Sequence, residues 1–410
     1  MSDQYKHNHY VPIWYQKRFL PEGQEDNELY YLDFNPPVYV DPRGKGHLRK
    51  AVRKQGLRLC FSEDDLYTRK IDGSNNTEIE QYFFGSIDDN GAKAIDFFSN
   101  FSHPSIRPDS FRNLLDYMSS QKLRTPKGLA WLASITGHTR KEDLLKRLVS
   151  WRNIYCAIWT ESIWHIADAS TSNTKFIVSD HPVTVYNRAC SPKSSYCRGF
   201  TDPDIRLHGT HTIFPLSLNK VLILTNLSWI RNPYQSETKS RPNPNMLRDA
   251  MFNFMDIQTG RMLDESEVLQ VNYIIKQRAY GYLAAAREEW LYPEKYMSRS
   301  LWKDFGSGYL LMPDPRSVNY GGEIMWGNYD GSGGAIDPYG RRPWEPEYNK
   351  ETNSHKDFGS LYKFKGEFAH MFGPHRRGTS FDMGSIIETD SEKMHAYHLS
   401  LYKQPKNKTV

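Results

Sequence analysis

Apolar positions in this chain keep two different periods. Between residues 77 and 158 they recur every three or four residues, the spacing of one helix face. Thr77 with Glu80 reads as a reciprocal helix cap, and Ile79, Tyr82, Phe83 and Ile87 follow on the inner face. A second helix is predicted from Pro108 and Asp109, with Phe111, Leu114, Leu115 and Met118 inward. It should stop near Arg124-Thr125-Pro126, because proline cannot continue the ladder. A third runs from about Arg140 through Leu144, Leu148, Trp151, Tyr155 and Ile158. On both sides the apolar runs are short and strand-like. Pro12 keeps Val11 extended, so residues 9–20 read as a short strand or an extended lead into a helix. Residues 28–40 predict a hairpin turning at Pro36-Pro37. Residues 175–180 predict a strand, and 211–217 with 220–225 a strand pair. A long helix is predicted over 265–290, with Val268, Val271, Ile274 and Ile275, then Ala284 to Ala286. From residue 293 the periodicity is lost, and 306–346 is rich in Gly, Pro, Tyr and Trp. The expected fold is α+β: one mixed sheet from the N-terminal hairpin and the 175–225 strands, packed by helices over residues 1–292. Residues 293–410 are expected to be a loop-rich or β-like extension, or a small second module.

Composition narrows the class. Aromatic residues make up 14% of 410, enough for a sizeable core and against general disorder. No apolar run of about eighteen residues is present, so no spanning helix is expected. No basic-then-apolar leader opens the sequence, so a cytoplasmic location is expected. Cys60, Cys156, Cys190 and Cys197 lack zinc-site spacing and read as free thiols. The net charge of +5 is too small to imply nucleic acid by itself. Its distribution changes that picture. Residues 43–58 contain Arg43, Lys45, Arg49, Lys50, Arg53, Lys54 and Arg58 and no acid, so the stretch either neutralises phosphates or solubilises a sheet edge.

Candidate chemistry lies on the inward polar positions. The stripe of the second helix continues to Gln121 or Lys122, and Arg124 follows near the helix end. A buried amide there must find partners. A buried arginine needs an anion, either a carboxylate of the chain or a bound phosphate. His7 and His9 share one face of an extended segment, as two metal ligands, as base and orienter, or as hydrogen-bonded core residues. Asp180 and His181 lie just past an apolar strand, a common place for a site, where Asp180 could equally shape a turn before Pro182. If His9, Glu80 and Asp180 converge, they form an N/O set suited to Mg, Mn or Zn. Phosphate-binding P-loop, serine-hydrolase elbow, zincin and dinucleotide motifs are absent from the sequence.

Several of these segments occur in a recognisable order. They are His7-Asn8-His9-Tyr10-Val11-Pro12, Ile79-Glu80 with Ala92 to Ile95, Gln121 to Pro126, Ser179-Asp180-His181-Pro182-Val183, and Phe214-Pro215-Leu216-Ser217. Together they resemble the bacterial domain-of-unknown-function family 4238 over residues 7–290. That family more often carries asparagine where this chain has His181. The resemblance implies a bacterial accessory protein, of the kind found in toxin or phage-defence settings.

Two functional expectations follow. The first is a hydrolase acting on phosphodiesters, in the first instance a nuclease. His7, His9, Glu80, Gln121, Arg124, Asp180 and His181 would form its centre, His9, Glu80 and Asp180 its metal ligands, and Lys45, Arg49, Lys50, Arg53, Lys54 and Arg58 its contacts to RNA or DNA. The second is a non-catalytic binding or regulatory protein. It would meet a partner protein, or a second copy of itself, through the aromatic C-terminal region, and would have no membrane role.

Overall fold

The computed structural model describes residues 7–24, 26–67, 69–71, 74–76, 83–101, 109–160, 162–197, 202–207, 209–226, 236–238, 257–298, 300–305, 324–336 and 343–344. The N-terminal part runs β1 (His7–His9), α1 (Ile13–Lys17), β2 (Glu28–Asp33), β3 (Val38–Val40), β4 (Gly46–Leu48), β5 (Val52–Gly56), β6 (Ser62–Asp64), β7 (Arg69–Ile71) and β8 (Ser74–Asn76). Helices follow: α2 (Gly85–Ser99), α3 (Asp109–Arg124), α4 (Pro126–Thr136), α5 (Lys141–Trp151) and α6 (Cys156–Thr160). Then come β9 (Ser162–Asp168), β10 (Val178–Ser179), β11 (Thr184–Asn187), β12 (Thr210–Pro215), β13 (Lys220–Asn226), β14 (Gln258–Met262), α7 (Glu265–Arg278) and β15 (Tyr282–Ala285). The last described strands are β16 (Ile324–Gly327) and β17 (Gly333–Ile336), a hairpin of their own.

The α+β class holds, but the strands make two principal sheets where one was expected. One has the order β10-β15-β2-β5 and is antiparallel throughout. The other has the order β11-β12-β13-β9-β14 and is mixed, because β14 runs parallel to β9. The expected pairing of 211–217 with 220–225 is the β12–β13 ladder. The expected hairpin over 28–40 does not form. Both edges of β2 are occupied, by β15 and β5, and β3 pairs with β4 instead. Pro36 and Pro37 have no N–H for a ladder and carry the chain off the sheet.

Helix α3 is the axis of the packing. Phe111, Leu114, Leu115, Tyr117, Met118 and Leu123 are all buried, and α2, α4 and α6 pack on it. Phe98, Phe111 and Trp164 form a ring cluster with centroids 5.0–5.5 Å apart, joining α2 and α3 to β9. The N-terminal segment is part of this core. Tyr15 stacks on Phe214 at 5.5 Å and donates its hydroxyl to the carbonyl of Pro215.

Pro126 ends α3 as expected and also begins α4, at the first helical position where a missing N–H costs nothing. Thr125 caps that helix, its hydroxyl accepting from the Gly128 N–H at 3.1 Å. The two helices therefore meet at a tight corner. A Cβ at Gly128 would lie 2.2 Å from the carbonyl oxygen of Lys122, so only glycine closes it.

The long helix expected over 265–290 stops at Arg278, and Ala284 and Ala285 lie in β15. The chain beyond residue 292 goes on packing on the body as far as Phe305, with Trp302 donating to the carbonyl of Asn187 at 2.9 Å. The four cysteines are free and buried. Among the described residues, no helix is long and apolar enough to cross a membrane.

Candidate functional site, a buried lysine pair

Gln121, Lys122 and Arg124, the inward polar residues at the end of α3, each have their own partners. Arg124 is 1% exposed. Its guanidinium donates to the Asp88 carboxylate at 2.9 and 3.1 Å and to Gln121 Oε1 at 2.7 Å. The rings of Phe84 and Tyr117 flank it at 5.2 and 5.5 Å. Burial raises the Asp88 carboxyl above its ordinary range, and Arg124 pulls it back. Gln121 donates its amide to the Tyr10 carbonyl at 2.7 Å, tying the N-terminal segment to the core. The anion that Arg124 requires is thus supplied by the chain, and this constellation is a strut between α2, α3 and the N-terminus.

Asp180 serves the turn after α7. Its carboxylate accepts from the backbone N–H of Tyr280 at 2.9 Å, Gly281 at 2.6 Å and Tyr282 at 2.9 Å. In a continuing helix those groups would donate four residues back. Asp180 takes them instead, and this is why the helix ends at Arg278 and β15 can begin. Burial pushes its carboxyl up to about 6, against the three amides and nearby Lys127.

His9 lies in β1 with Nε2 2.9 Å from the carbonyl oxygen of Arg58. His7 pairs by backbone with Asp64. Glu80 lies outside the described residues. Among the described residues, no three His, Cys, Asp or Glu side chains stand close enough together to hold a metal ion. Asp180 and His9 are each engaged with backbone groups instead.

His181 points elsewhere, into a buried polar cluster at the α3–α4 corner. Lys122, on the last turn of α3, donates to His181 Nε2 at 3.0 Å, to Asp202 Oδ2 at 2.9 Å and to the Val183 carbonyl at 3.2 Å. That matches the three N–H bonds of an ammonium. Lys127, just past the corner, donates to Asp202 Oδ1 at 2.8 Å and to the Arg278 carbonyl at the end of α7 at 2.5 Å. Two ammonium groups therefore converge on one carboxylate. Side-chain exposures are 8% for Lys122, 2% for Lys127 and 13% for Asp202, so the carboxylate is the most open member.

The electrostatics follow from this sharing. Burial drives Lys127 down to about 8; Asp202 recovers part of the loss, and the positive charge of Lys122 lowers it further. The Asp202 carboxyl lies well below its ordinary range, since two cations outweigh burial. His181 falls to about 3 through burial and the Lys122 charge, so its imidazole is neutral. With Nε2 accepting from Lys122, the proton sits on Nδ1 and is donated to Thr125 Oγ1 at 2.7 Å. The cluster holds two lysines on one carboxylate, one of them with its proton affinity lowered to about 8 by burial, and a neutral imidazole.

The basic stretch divides in two. Lys45, Arg49 and Lys50 are exposed on or beside the β3–β4 hairpin. On β5, Lys54 pairs with Asp26 and lies 3.5 Å from Glu28, and Arg53 lies over the Tyr31 ring at 5.6 Å. Arg58 is exposed just beyond β5.

Of the residues singled out in the sequence, His181 alone reaches the lysine cluster. Lys122, Lys127 and Asp202 were not singled out. Lys122 was visible as the alternative to Gln121 on the inner stripe of α3, and Lys127 lies one residue past the corner proline. Nothing local marks Asp202, which is 80 residues from Lys122 in the chain.

Residues 154–289 match a family model described as Protein of unknown function (DUF4238). Over that segment, about a third of the chain, the sequence is similar to this family. The segment contains Asp180, His181 and Asp202 but not the two lysines. No curated protein and no solved structure matches the chain.

Proposed function

We propose that the chain is a hydrolase acting on phosphodiesters, a nuclease of a bacterial toxin or phage-defence setting that works in the cytoplasm. The observation that carries the reading is the lysine pair. Lys122 and Lys127 both reach Asp202, at 2.9 and 2.8 Å. A phosphodiester places its negative charge where such a pair is directed, and the charge grows as water attacks phosphorus. A phosphoryl group would take the place of the Asp202 carboxylate on Lys122, whose other N–H bonds go to His181 and Val183. Lys127, with its affinity for a proton lowered to about 8, would give up or take the proton at the attacking or leaving oxygen. His181, whose Nε2 also lies 3.3 Å from Asp202 Oδ2, would keep Lys122 in place beside the substrate. The approach is over Asp202, the most exposed of the four.

The test incubates purified protein with tRNA, single-stranded RNA and duplex DNA, with Mg or Mn or with chelator, beside Lys127→Met and His9→Ala. Cleavage by the wild type that Lys127→Met loses at an unchanged melting temperature supports the reading. Cleavage that survives Lys127→Met but is removed both by His9→Ala and by chelator moves the centre to the N-terminal histidines and a metal. Absence of cleavage of every substrate rejects the hydrolase. The remaining reading would then be a binding protein that meets its partner through the C-terminal region.

A further inference from the structure

The β3–β4 hairpin presents apolar and cationic side chains together to solvent. Among the described residues its strands pair only with each other, in the register Val38 to Leu48, Tyr39 to His47 and Val40 to Gly46. Alternation along the two strands puts Val38, Val40 and Leu48 on one face, each at least 64% exposed. The other face carries Tyr39 stacked on His47 at 5.5 Å.

The tip is closed by Asp41. Its carboxylate accepts from the backbone N–H of Arg43 and Lys45, both at 2.9 Å, and faces His47 Nε2 at 2.9 Å. This acid is therefore absorbed in the turn. Arg43 and Lys45 at the tip and Arg49 and Lys50 at the base are exposed, with no carboxylate partner among the described residues. Four cations thus flank a short apolar ribbon.

We propose that this hairpin is an arm that enters the major groove of duplex DNA, with Arg43, Lys45, Arg49 and Lys50 on the phosphates and Val38, Val40 and Leu48 against base edges. Three arguments favour duplex DNA as the occupant. Charge complementarity requires a polyanion. The major groove of B-form DNA admits a two-stranded ribbon, whereas that of A-form RNA is too narrow and deep. Thymine methyl groups give aliphatic side chains a surface to meet in that groove. The inference rests on the phosphodiester reading for its biological sense, not for its test.

Full-length protein is titrated with a labelled 30-base-pair duplex at several salt concentrations. The variants are Arg43→Gln/Lys45→Gln/Arg49→Gln/Lys50→Gln and Val38→Ser/Val40→Ser/Leu48→Ser. The expected result is a salt slope about 3–4 smaller for the charge variant, one phosphate contact per cation. The apolar variant should weaken binding about tenfold with its slope unchanged. Binding by the charge variant with the wild-type slope and affinity overturns the proposal. So does wild type that ignores DNA but binds vesicles of phosphatidylserine and phosphatidylcholine through the apolar residues. Hairpin-dependent DNA binding without any cleavage would sink the hydrolase and leave the arm standing. Cleavage lost in Lys127→Met, with DNA binding indifferent to the hairpin, would do the reverse.

Discussion

The Lys122 ammonium lies 3.0 Å from Nε2 of His181, a cation donating to an imidazole that must stay neutral to accept it. The contact fixes a sign. The folded chain does not protonate His181 until about pH 3, whereas the unfolded chain does so near 6.5. The contribution of His181 is therefore complete above about 6.5 and is lost as pH falls towards 3. His181→Asn keeps a hydrogen-bonding group but cannot titrate. Urea unfolding of both proteins between pH 4 and 7 should show the wild type losing more stability, on the order of a few kcal/mol over that range. Asp180 acts with the opposite sign, because a carboxyl raised to about 6 loses stability as pH rises from about 4 to 6. Both proteins contain it, so it cancels in the comparison. Parallel curves would show that His181 is not held neutral.

Lys127 is a lysine kept against its own solvation. Its folded affinity near 8 lies below the unfolded value near 10.4, so stability should rise with pH between about 8 and 10. Lys127→Met should be neutral or slightly stabilising at pH 7 and should flatten that rise. Asp202→Asn, which takes the charge from both lysines at once, should destabilise by about 3–5 kcal/mol. Chemical denaturation of the two variants separates these outcomes. A Lys127→Met protein as unstable as Asp202→Asn would make Lys127 a structural cation.

Asp180→Ala should unfold the turn after α7. Its carboxylate serves three backbone donors. Leaving them buried and unmet should destabilise by about 3–5 kcal/mol. Asp180→Asn retains one acceptor oxygen and should fall between wild type and alanine. Thermal melts followed by circular dichroism report the order. An Asp180→Ala protein that melts like wild type would restore Asp180 as a candidate for chemistry.

Arg124 and Asp88 should behave as a pair. Arg124→Met or Asp88→Asn alone leaves a buried charge and should destabilise by about 3–5 kcal/mol. The double change Arg124→Met/Asp88→Leu should recover a large part of that loss, and the double-mutant cycle measures how much. Additive losses would mean that the two side chains do not depend on each other.

Much of the helical layer was legible from the spacing of apolar residues. The start of α3, its inner stripe and its stop at Pro126 were all readable, and so was the inward direction of Gln121 and Arg124. Their partners were not. Asp88 is 36 residues from Arg124 and has no local mark of pairing with it. The place of Asp180 past a strand was readable, while its use lay a hundred residues on, in the amides of Tyr280 to Tyr282. The same contact explains why the apolar run through Ala284 to Ala286 misled: its residues suit a helix, but a carboxylate from elsewhere in the chain takes the donors the helix would need. Pairing of β2 with β15 and β5, and the split into two sheets, depend on such distant partners throughout.

Gly128 has no side chain and touches no ion, yet it sets the spacing between the cations. A methyl group there would press on the carbonyl of Lys122 and wedge α3 from α4. The backbones that carry Lys122 and Lys127 would then be pushed apart, and with them the ammonium groups that share Asp202. The charge balance of the cluster is in this sense encoded by a hydrogen atom. Variation at this uncharged corner would retune the basicity of Lys127 without replacing any group that titrates.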